Sequence, residues 1–199
     1  PLSTLFNTAG FNLNVRVGVH VGDALAGNMG CDSRMNWTVV GDSVNTAARL
    51  EPLCKQYGTS ILISDSVQKA VSKSIRCFHL GKVKVVGKDE PIGVYEPYAA
   101  LPPPDGHVNS TLGKLQARAA ALAGGLDAAV IPLEKDLADV VDMYSSGDFV
   151  KAVKAADELS KKHGKCSKID KLRERALEAS KEYTKSNKKW SGVFVPTKK

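Results

Sequence analysis

The chain has 199 residues, of which 43% are hydrophobic and 25% are charged, and its formal net charge is +7. These proportions are typical of a globular protein, and no apolar run approaches the ~20 residues that a membrane-spanning helix needs. The cysteines, Cys31, Cys54, Cys77 and Cys166, form no CxxC pair. Their spacing excludes the common zinc motifs and favours reduced thiols in an intracellular protein.

The positive charge is uneven along the chain. Residues 1–100 carry 10 basic and 8 acidic side chains, whereas residues 101–199 carry 18 and 13. The basic second half could bind an acidic protein surface, a membrane surface or a polyanion, although a solvated face is the simpler interpretation. We do not expect nucleic-acid binding, because no aromatic side chains are interleaved with these lysines as a base-stacking surface requires.

The first elements alternate between strand and turn signals. Residues 14–21 place four valines on one face and predict a half-buried strand, in which Gly18 indicates a close approach by another backbone or a ligand. The glycine-punctuated segment 22–30 is interpreted as turns. Residues 37–40 predict a second strand. A helix is expected from about 44 to 57, with Asp42 or Ser43 as its N-cap and Gly58 just past its end.

The next elements are short. Residues 61–63 predict a strand, and Ser64 or Asp65 can cap the helix that follows. Two further strands are predicted at about 77–80 and 83–86, a turn at 87–91 and a closing strand at 94–96. Strands and helices mixed in this order predict an α+β sandwich, with helices packed on one sheet.

The second half of the chain predicts a linker and a helical tail. Three prolines at 102–104 disfavour helix and mark a linker, which we place at residues 101–132. Helical periodicity then returns over the tail, residues 133–199, and the first two helices are expected to form a hairpin. The apolar stripes are Leu137, Val140, Val141 and Tyr144, then Phe149, Ala152, Val153, Ala156 and Leu159, then Ile169, Leu172, Ala176 and Leu177. The stub at 190–195 is too apolar to remain free in solvent and is expected to dock on a surface, which the sequence does not identify.

The strongest chemical signal is a pair of side chains on the first predicted helix. Asn45 and Arg49 are four residues apart and therefore share a helix face. Arginine offers forked donors to phosphate oxygens, and an amide can hold a ribose oxygen. The spacing alone is more typical of an ordinary polar face on an amphipathic helix.

Several segments in order resemble the C-terminal half of a class III adenylate/guanylate cyclase catalytic domain. They are Arg16-x-Gly18-x-His20-x-Gly22, Ala26-Gly27, Gly30, Thr38 to Arg49, Tyr57 to Ser64, and Val85 to Glu96. The similarity covers about residues 11–97 and implies a partial, ferredoxin-like cyclase sandwich over residues 1–100, followed by the all-α tail. That tail more weakly resembles a tetratricopeptide-like helix pair, which implies docking to a partner protein; a plain helical spacer is the alternative.

The resemblance also implies roles for individual residues. Family members convert a nucleoside triphosphate to a 3′,5′-cyclic monophosphate and pyrophosphate at the interface of two such domains. Asn45 would orient the ribose, Arg49 would stabilise charge on the reacting phosphate, and Thr38 would contact the base, which favours ATP over GTP. Lys88 would bind the triphosphate. It keeps the second lysine of a Val-Lys-Gly-Lys motif in which Val86 replaces the first.

The first half of the family's domain, with its metal-binding aspartates, is not in this sequence. Asp23, Asp32 and Asp42 do not match those positions, so Mg²⁺ or Mn²⁺ is expected to bind upstream residues, and this chain alone is expected to be inactive. His20 is interpreted as structural. We expect a location on the cytosolic side, with the parent protein anchored to a membrane or attached to a larger assembly. The alternative function is a degenerate cyclase domain that acts as a structural or docking component.

Overall fold

The computed structural model describes residues 15–101, 132–164, 166–186 and 189–196. The strands are β1 (Val17–Val19), β2 (Leu25–Cys31), β3 (Arg34–Val40), β4 (Ile61–Ser64), β5 (Ile75–Val83) and β6 (Ile92–Ala100). The helices are α1 (Asp42–Tyr57), α2 (Asp65–Val71), α3 (132–145), α4 (Phe149–His163) and α5 (Ser167–Ser186). The predicted linker falls almost entirely outside the described residues, so the predicted domain boundaries stay a prediction.

Among the described residues, four strands form the main sheet, in the order β1-β4-β6-β5. The first strand runs parallel to β4, with Gly18 opposite Leu62, and the remaining neighbours are antiparallel. The strands β2 and β3 form a separate two-stranded ribbon. The mixed sheet with helices packed on it confirms the α+β prediction, and the helical tail is present as expected.

Two parts of the strand prediction are wrong. Most of the segment 22–30, interpreted as turns, belongs to strand β2. Its glycines at 27 and 30 add nothing to a hydrophobic pattern, but both pair across the ribbon with β3. The strands predicted at 77–80 and 83–86 are not two separate strands: β5 runs from Ile75 to Val83, and residues 84–86 lie in the loop after it. Gly81, with φ of 111°, lies at a register shift that lets β5 continue past the apparent break.

The start of α1 also differs from the prediction. Its N-cap is Gly41, and neither Asp42 nor Ser43 caps the helix. The Ser43 hydroxyl instead donates to the backbone oxygen of Asp23, 2.7 Å away. That bond holds the segment leading into β2 against the start of the helix.

Other local predictions are confirmed. Helix α1 ends at Gly58, whose φ of 70° is the left-handed conformation that glycine adopts readily. Ser64 caps α2 by accepting from the backbone N–H of Val67. A Cβ placed on Gly18 would lie 2.4 Å from the backbone oxygen of Ala47, so β1 and α1 approach as closely as the sequence indicated.

One hydrophobic cluster joins the sheet, α1 and the helical tail. Most of the predicted tail stripes are buried in it; Val153 and Leu177 are only partly buried. The predicted hairpin of α3 and α4 is confirmed, because Asp136 near the start of α3 bonds Lys162 and His163 at the end of α4. Within the described ranges, no helix has the length and apolar character needed to span a bilayer.

The C-terminal stub docks as expected. Phe194 forms a short parallel bridge with Val83 at the end of β5. The indole N–H of Trp190 donates to the backbone oxygen of Ser145 at 3.0 Å, and its ring packs edge-on against Tyr144.

Candidate functional site

The candidate site lies where the loop after β5 meets the first turns of α1. Lys88 of this loop forms an ion pair with Asp42, the first residue of α1. The hydrogen bond from Lys88 holds the pKa of the Asp42 carboxyl below its usual value. The Lys88 side chain is 30% exposed, so its ammonium remains open to a ligand from solvent.

Arg49 reaches the same loop from the second turn of α1. A Cβ placed on Gly87 would lie 3.3 Å from Arg49 Nη1, so the guanidinium rests against the backbone of this turn. Gly87 has a φ of 76°, and the Lys88 N–H closes the turn on the Val85 oxygen at 3.0 Å. The turn therefore brings two cations, Arg49 and Lys88, to one end of the helix.

Asn45 lies on α1 one turn before Arg49 and is exposed. The opposite face of the helix is buried: Thr46 is fully inaccessible, and its hydroxyl donates to the Asp42 backbone oxygen at 2.8 Å. One exposed polar edge is thus bordered by Asn45, Arg49 and Lys88. Two cations and an amide suit a ligand that carries several anionic groups.

Thr38 lies apart from this edge, on the β2–β3 ribbon. It is exposed and pairs in register with Gly27. A Cβ on Gly27 would meet no other described atom within 4 Å, so the space beside Thr38 is open. None of the described hydrogen bonds or ion pairs joins Thr38 to Arg49 or Lys88.

His20 directly follows β1. Its Nδ1 is 2.9 Å from the Ser64 hydroxyl at the end of β4, a contact that reinforces the pairing of β1 with β4. Burial lowers the pKa of His20, and the nearby charge of Lys88 lowers it further. The hydrogen bond between the imidazole and the Ser64 hydroxyl supports the structural interpretation of this residue.

The sequence interpretation missed the role of Asp42 as the partner of Lys88. The two residues are 46 positions apart, and a single ion pair between distant residues leaves no periodic signal. The only hint is that an acidic residue in the first helical turn lies at the positive end of the helix dipole. There it can attract a lysine from a neighbouring loop.

The described residues do not fit a divalent cation. They contain no group of three His, Cys, Asp or Glu side chains close enough to hold a metal ion. The acidic side chain nearest the candidate site, Asp42, is already paired with Lys88. No chemical step is therefore assigned to a metal held by this part of the protein.

Comparison with known proteins shows which family the first half of the chain resembles. The model of the family described as "Adenylate and Guanylate cyclase catalytic domain" matches residues 3–96. Residues 3–96 are therefore similar to the catalytic domains of class III cyclases. The matched segment carries all four side chains predicted at the site, namely Thr38, Asn45, Arg49 and Lys88. It also carries Asp42, the partner of Lys88 that the structure adds.

The relatives are much longer than this chain. An adenylate cyclase of Anabaena cylindrica is 46% identical over 87 residues, covering 42% of this chain and 17% of the relative. Adenylate cyclase 1 of Rhizobium meliloti is 38% identical over 81 residues, covering 41% and 12%. The crystal structure of the adenylyl cyclase CyaB from P. aeruginosa is 28% identical, covering 50% of this chain and 51% of that one, with a TM-score of 0.43. The chain thus spans less than a fifth of these two curated relatives.

Proposed function

We propose that this chain supplies one half of an active site that converts ATP to 3′,5′-cyclic AMP and pyrophosphate. The observation that carries the proposal is the convergence of Arg49 and Lys88 at the start of α1, beside the exposed Asn45, within a cyclase segment. Two relatives are adenylate cyclases, which favours ATP as the nucleotide.

In the reaction, the ribose 3′-oxygen forms a bond to the α-phosphorus, and the bond from that phosphorus to the β-phosphate oxygen breaks. Pyrophosphate leaves with that oxygen, and the 3′-hydroxyl proton passes to solvent or a base. Asn45 holds the ribose so that its 3′-oxygen lies in line with the leaving group. Arg49 stabilises the negative charge that builds on the phosphate oxygens in the transition state.

Lys88 gives up its ion pair with the Asp42 carboxylate and binds the phosphates of the leaving pyrophosphate instead. Thr38 contacts the base, since a short hydroxyl can accept a hydrogen bond from the adenine amino group. Glycine opposite Thr38 leaves room for that base on the ribbon. Mg²⁺ or Mn²⁺ is expected on aspartates of the upstream half of the domain, so this chain by itself is inactive.

The site is completed by a second cyclase domain. The β2–β3 ribbon exposes large apolar side chains, including Leu25 at 74% and Trp37 at 69%. Exposed apolar patches of this kind are typical of interaction surfaces. We infer that the ribbon contacts the partner domain and brings Thr38 to the shared interface.

A degenerate cyclase domain with a structural role is the second candidate. Val86 stands where the family has a lysine, and the remaining lysine, Lys88, is engaged by Asp42. In this alternative the ion pair closes the site, and the tail docks a partner protein.

Cyclic nucleotide production decides between the two. The assay uses a protein that contains both halves of the catalytic domain, with Mn²⁺ and with ATP or GTP offered separately. We expect cyclic AMP from ATP, and a loss of roughly a hundredfold or more in kcat for Asn45→Ala. A folded dimer that makes no product from either nucleotide would support the structural role instead.

A further inference from the structure

The C-terminal stub reaches the chain at the point where β5 ends and the loop carrying Lys88 begins. The Phe194 N–H donates to the Lys82 oxygen at 2.9 Å, and the Lys84 N–H donates to the Phe194 oxygen at 2.9 Å. The stub therefore adds a short parallel strand beside Val83. Its two bonds fix the backbone immediately before the loop.

The Phe194 side chain anchors the stub to the helix that carries the candidate site. Its ring meets Tyr57 of α1 edge-on, with the centroids 6.0 Å apart. Tyr57 is fully buried, and the guanidinium of Arg175 from α5 lies 3.9 Å from its ring centroid. The stub, α5 and α1 are thus locked together through one aromatic ring.

The loop is held at both ends. Next to the stub, the Val85 side chain is buried, and the Val85 oxygen accepts the Lys88 N–H. At the far end, Gly87 rests on Arg49, and Lys88 pairs with Asp42. When a triphosphate replaces Asp42 as the partner of Lys88, the ion pair at the far end of the loop is lost. The hydrogen bonds to Phe194 at the near end of the loop remain.

We propose that Phe194 is a positioning residue for the cyclase reaction, which holds the 84–88 loop so that Lys88 is placed to bind the triphosphate. The inference rests on the proposed function. A lysine on a loose loop must lose more conformational entropy when it binds, so its contribution to nucleotide binding falls. The tail thereby acts on the site through the end of β5, without touching the nucleotide.

The test compares Phe194→Ala with Val195→Ala in a protein that contains both halves of the catalytic domain. Val195 is the adjacent residue and is 61% exposed, so its substitution controls for a change in the stub. Amide hydrogen exchange is measured at Lys84 and Lys88, and kcat and KM are measured with ATP. We expect exchange at both amides to rise about tenfold or more for Phe194→Ala alone. The KM for ATP should rise about fivefold, with a smaller change in kcat.

A double-mutant cycle distinguishes positioning from a general loss of structure. If Phe194 acts through Lys88, Phe194→Ala has no further effect on KM once Lys88 is replaced by alanine. Equal increases in KM in both backgrounds would overturn the proposal, as would unchanged exchange at Lys84 and Lys88. Phe194→Tyr keeps the ring and should restore both readouts.

The test remains decisive if the alanine variant fails to fold or if the protein proves inactive. If Phe194→Ala does not fold, Phe194→Leu keeps the apolar volume but loses the ring contact, and the same measurements apply to it. If the wild-type protein makes no cyclic nucleotide, the proposed function fails, and the exchange rates alone decide whether the stub holds the loop.

Discussion

Lys88 and Asp42 form an ion pair that ties the loop after β5 to the first turn of α1. Since the Asp42 carboxylate is held at the positive end of the helix, the lysine stays at the place where a triphosphate would find both the helix end and Arg49. Asp42 competes with the nucleotide for the ammonium group of Lys88. This competition therefore links the affinity for ATP to one residue of the loop.

Replacement of Lys88 by alanine is expected to raise the KM for ATP about tenfold, because one charge-assisted contact to phosphate is lost. The melting temperature should change little, since exposed ion pairs contribute little to stability. Steady-state kinetics and a thermal melt on the same sample check both parts. Lys69→Ala, an exposed lysine on α2, is the matched control. An unchanged KM would remove Lys88 from the nucleotide site.

The exposed ribbon is expected to mediate dimerisation, so Trp37→Ser should weaken the dimer about tenfold or more, since aromatic side chains dominate such interfaces. Sedimentation equilibrium over a range of concentrations measures the effect. Val150→Ser is the control, because Val150 is a comparably exposed apolar residue, at 63%, on α4 of the tail. If both substitutions shift the equilibrium equally, or neither does, the ribbon is not the interface.

The close approach of β1 and α1 makes Gly18 intolerant of substitution. A Cβ there would lie 2.4 Å from the Ala47 oxygen and 2.6 Å from the Glu51 nitrogen, and both are backbone atoms that cannot turn away. Gly18→Ala should lower the free energy of unfolding by about 1–3 kcal/mol, as overpacking does elsewhere. Urea denaturation measures the change. Gly27→Ala meets no described atom within 4 Å and should be tolerated, so equal losses would contradict the packing argument.

Predictability from sequence differed between helices and the ribbon. Helix α1 was expected almost to the residue, because Gly58 stops it and its polar face carries a spaced pair, Asn45 and Arg49. Strand β2 was missed, since glycines hide the alternation that marks a strand. The meeting of Lys88 with Asp42 and Arg49 could not be predicted, because it depends on how β5 is placed against α1. The roles assigned to Asn45, Arg49, Thr38 and Lys88 stay predictions.

Arg175 secures the tail helix α5 to α1. It is 6% exposed, and its guanidinium lies 3.9 Å from the ring centroid of Tyr57. Arg175→Ala should cost roughly 2–4 kcal/mol, because a desolvated cation–π contact and buried volume are lost together. Arg173 on the same helix forms an exposed ion pair with Asp157, so Arg173→Ala should cost less than about 1 kcal/mol. Chemical denaturation ranks the two variants, and a reversed order would show that the stacking is unimportant.

Tyr98 provides a pH-dependent link between the sheet and α3. Its hydroxyl donates to Glu134 Oε2 at 2.5 Å, and burial, reinforced by this bond, raises the pKa of Tyr98 to about 12. The unfolded chain loses the phenol proton near its ordinary pKa of about 10, whereas the folded protein keeps it. This group therefore contributes stability that is complete below pH ~10 and is lost as the pH rises toward ~12.

The variant Tyr98→Phe isolates this contribution from the other tyrosines. Its free energy of unfolding should be lower than that of the wild type at neutral pH, and the difference should shrink between pH 10 and 12. Denaturation curves at closely spaced pH values measure the two slopes. Tyr183→Phe serves as a comparison, since Tyr183 packs against Trp190 in the tail and lies outside the Tyr98–Glu134 contact. Parallel slopes for the wild type and Tyr98→Phe would show that the phenol of Tyr98 does not link folding to alkaline pH.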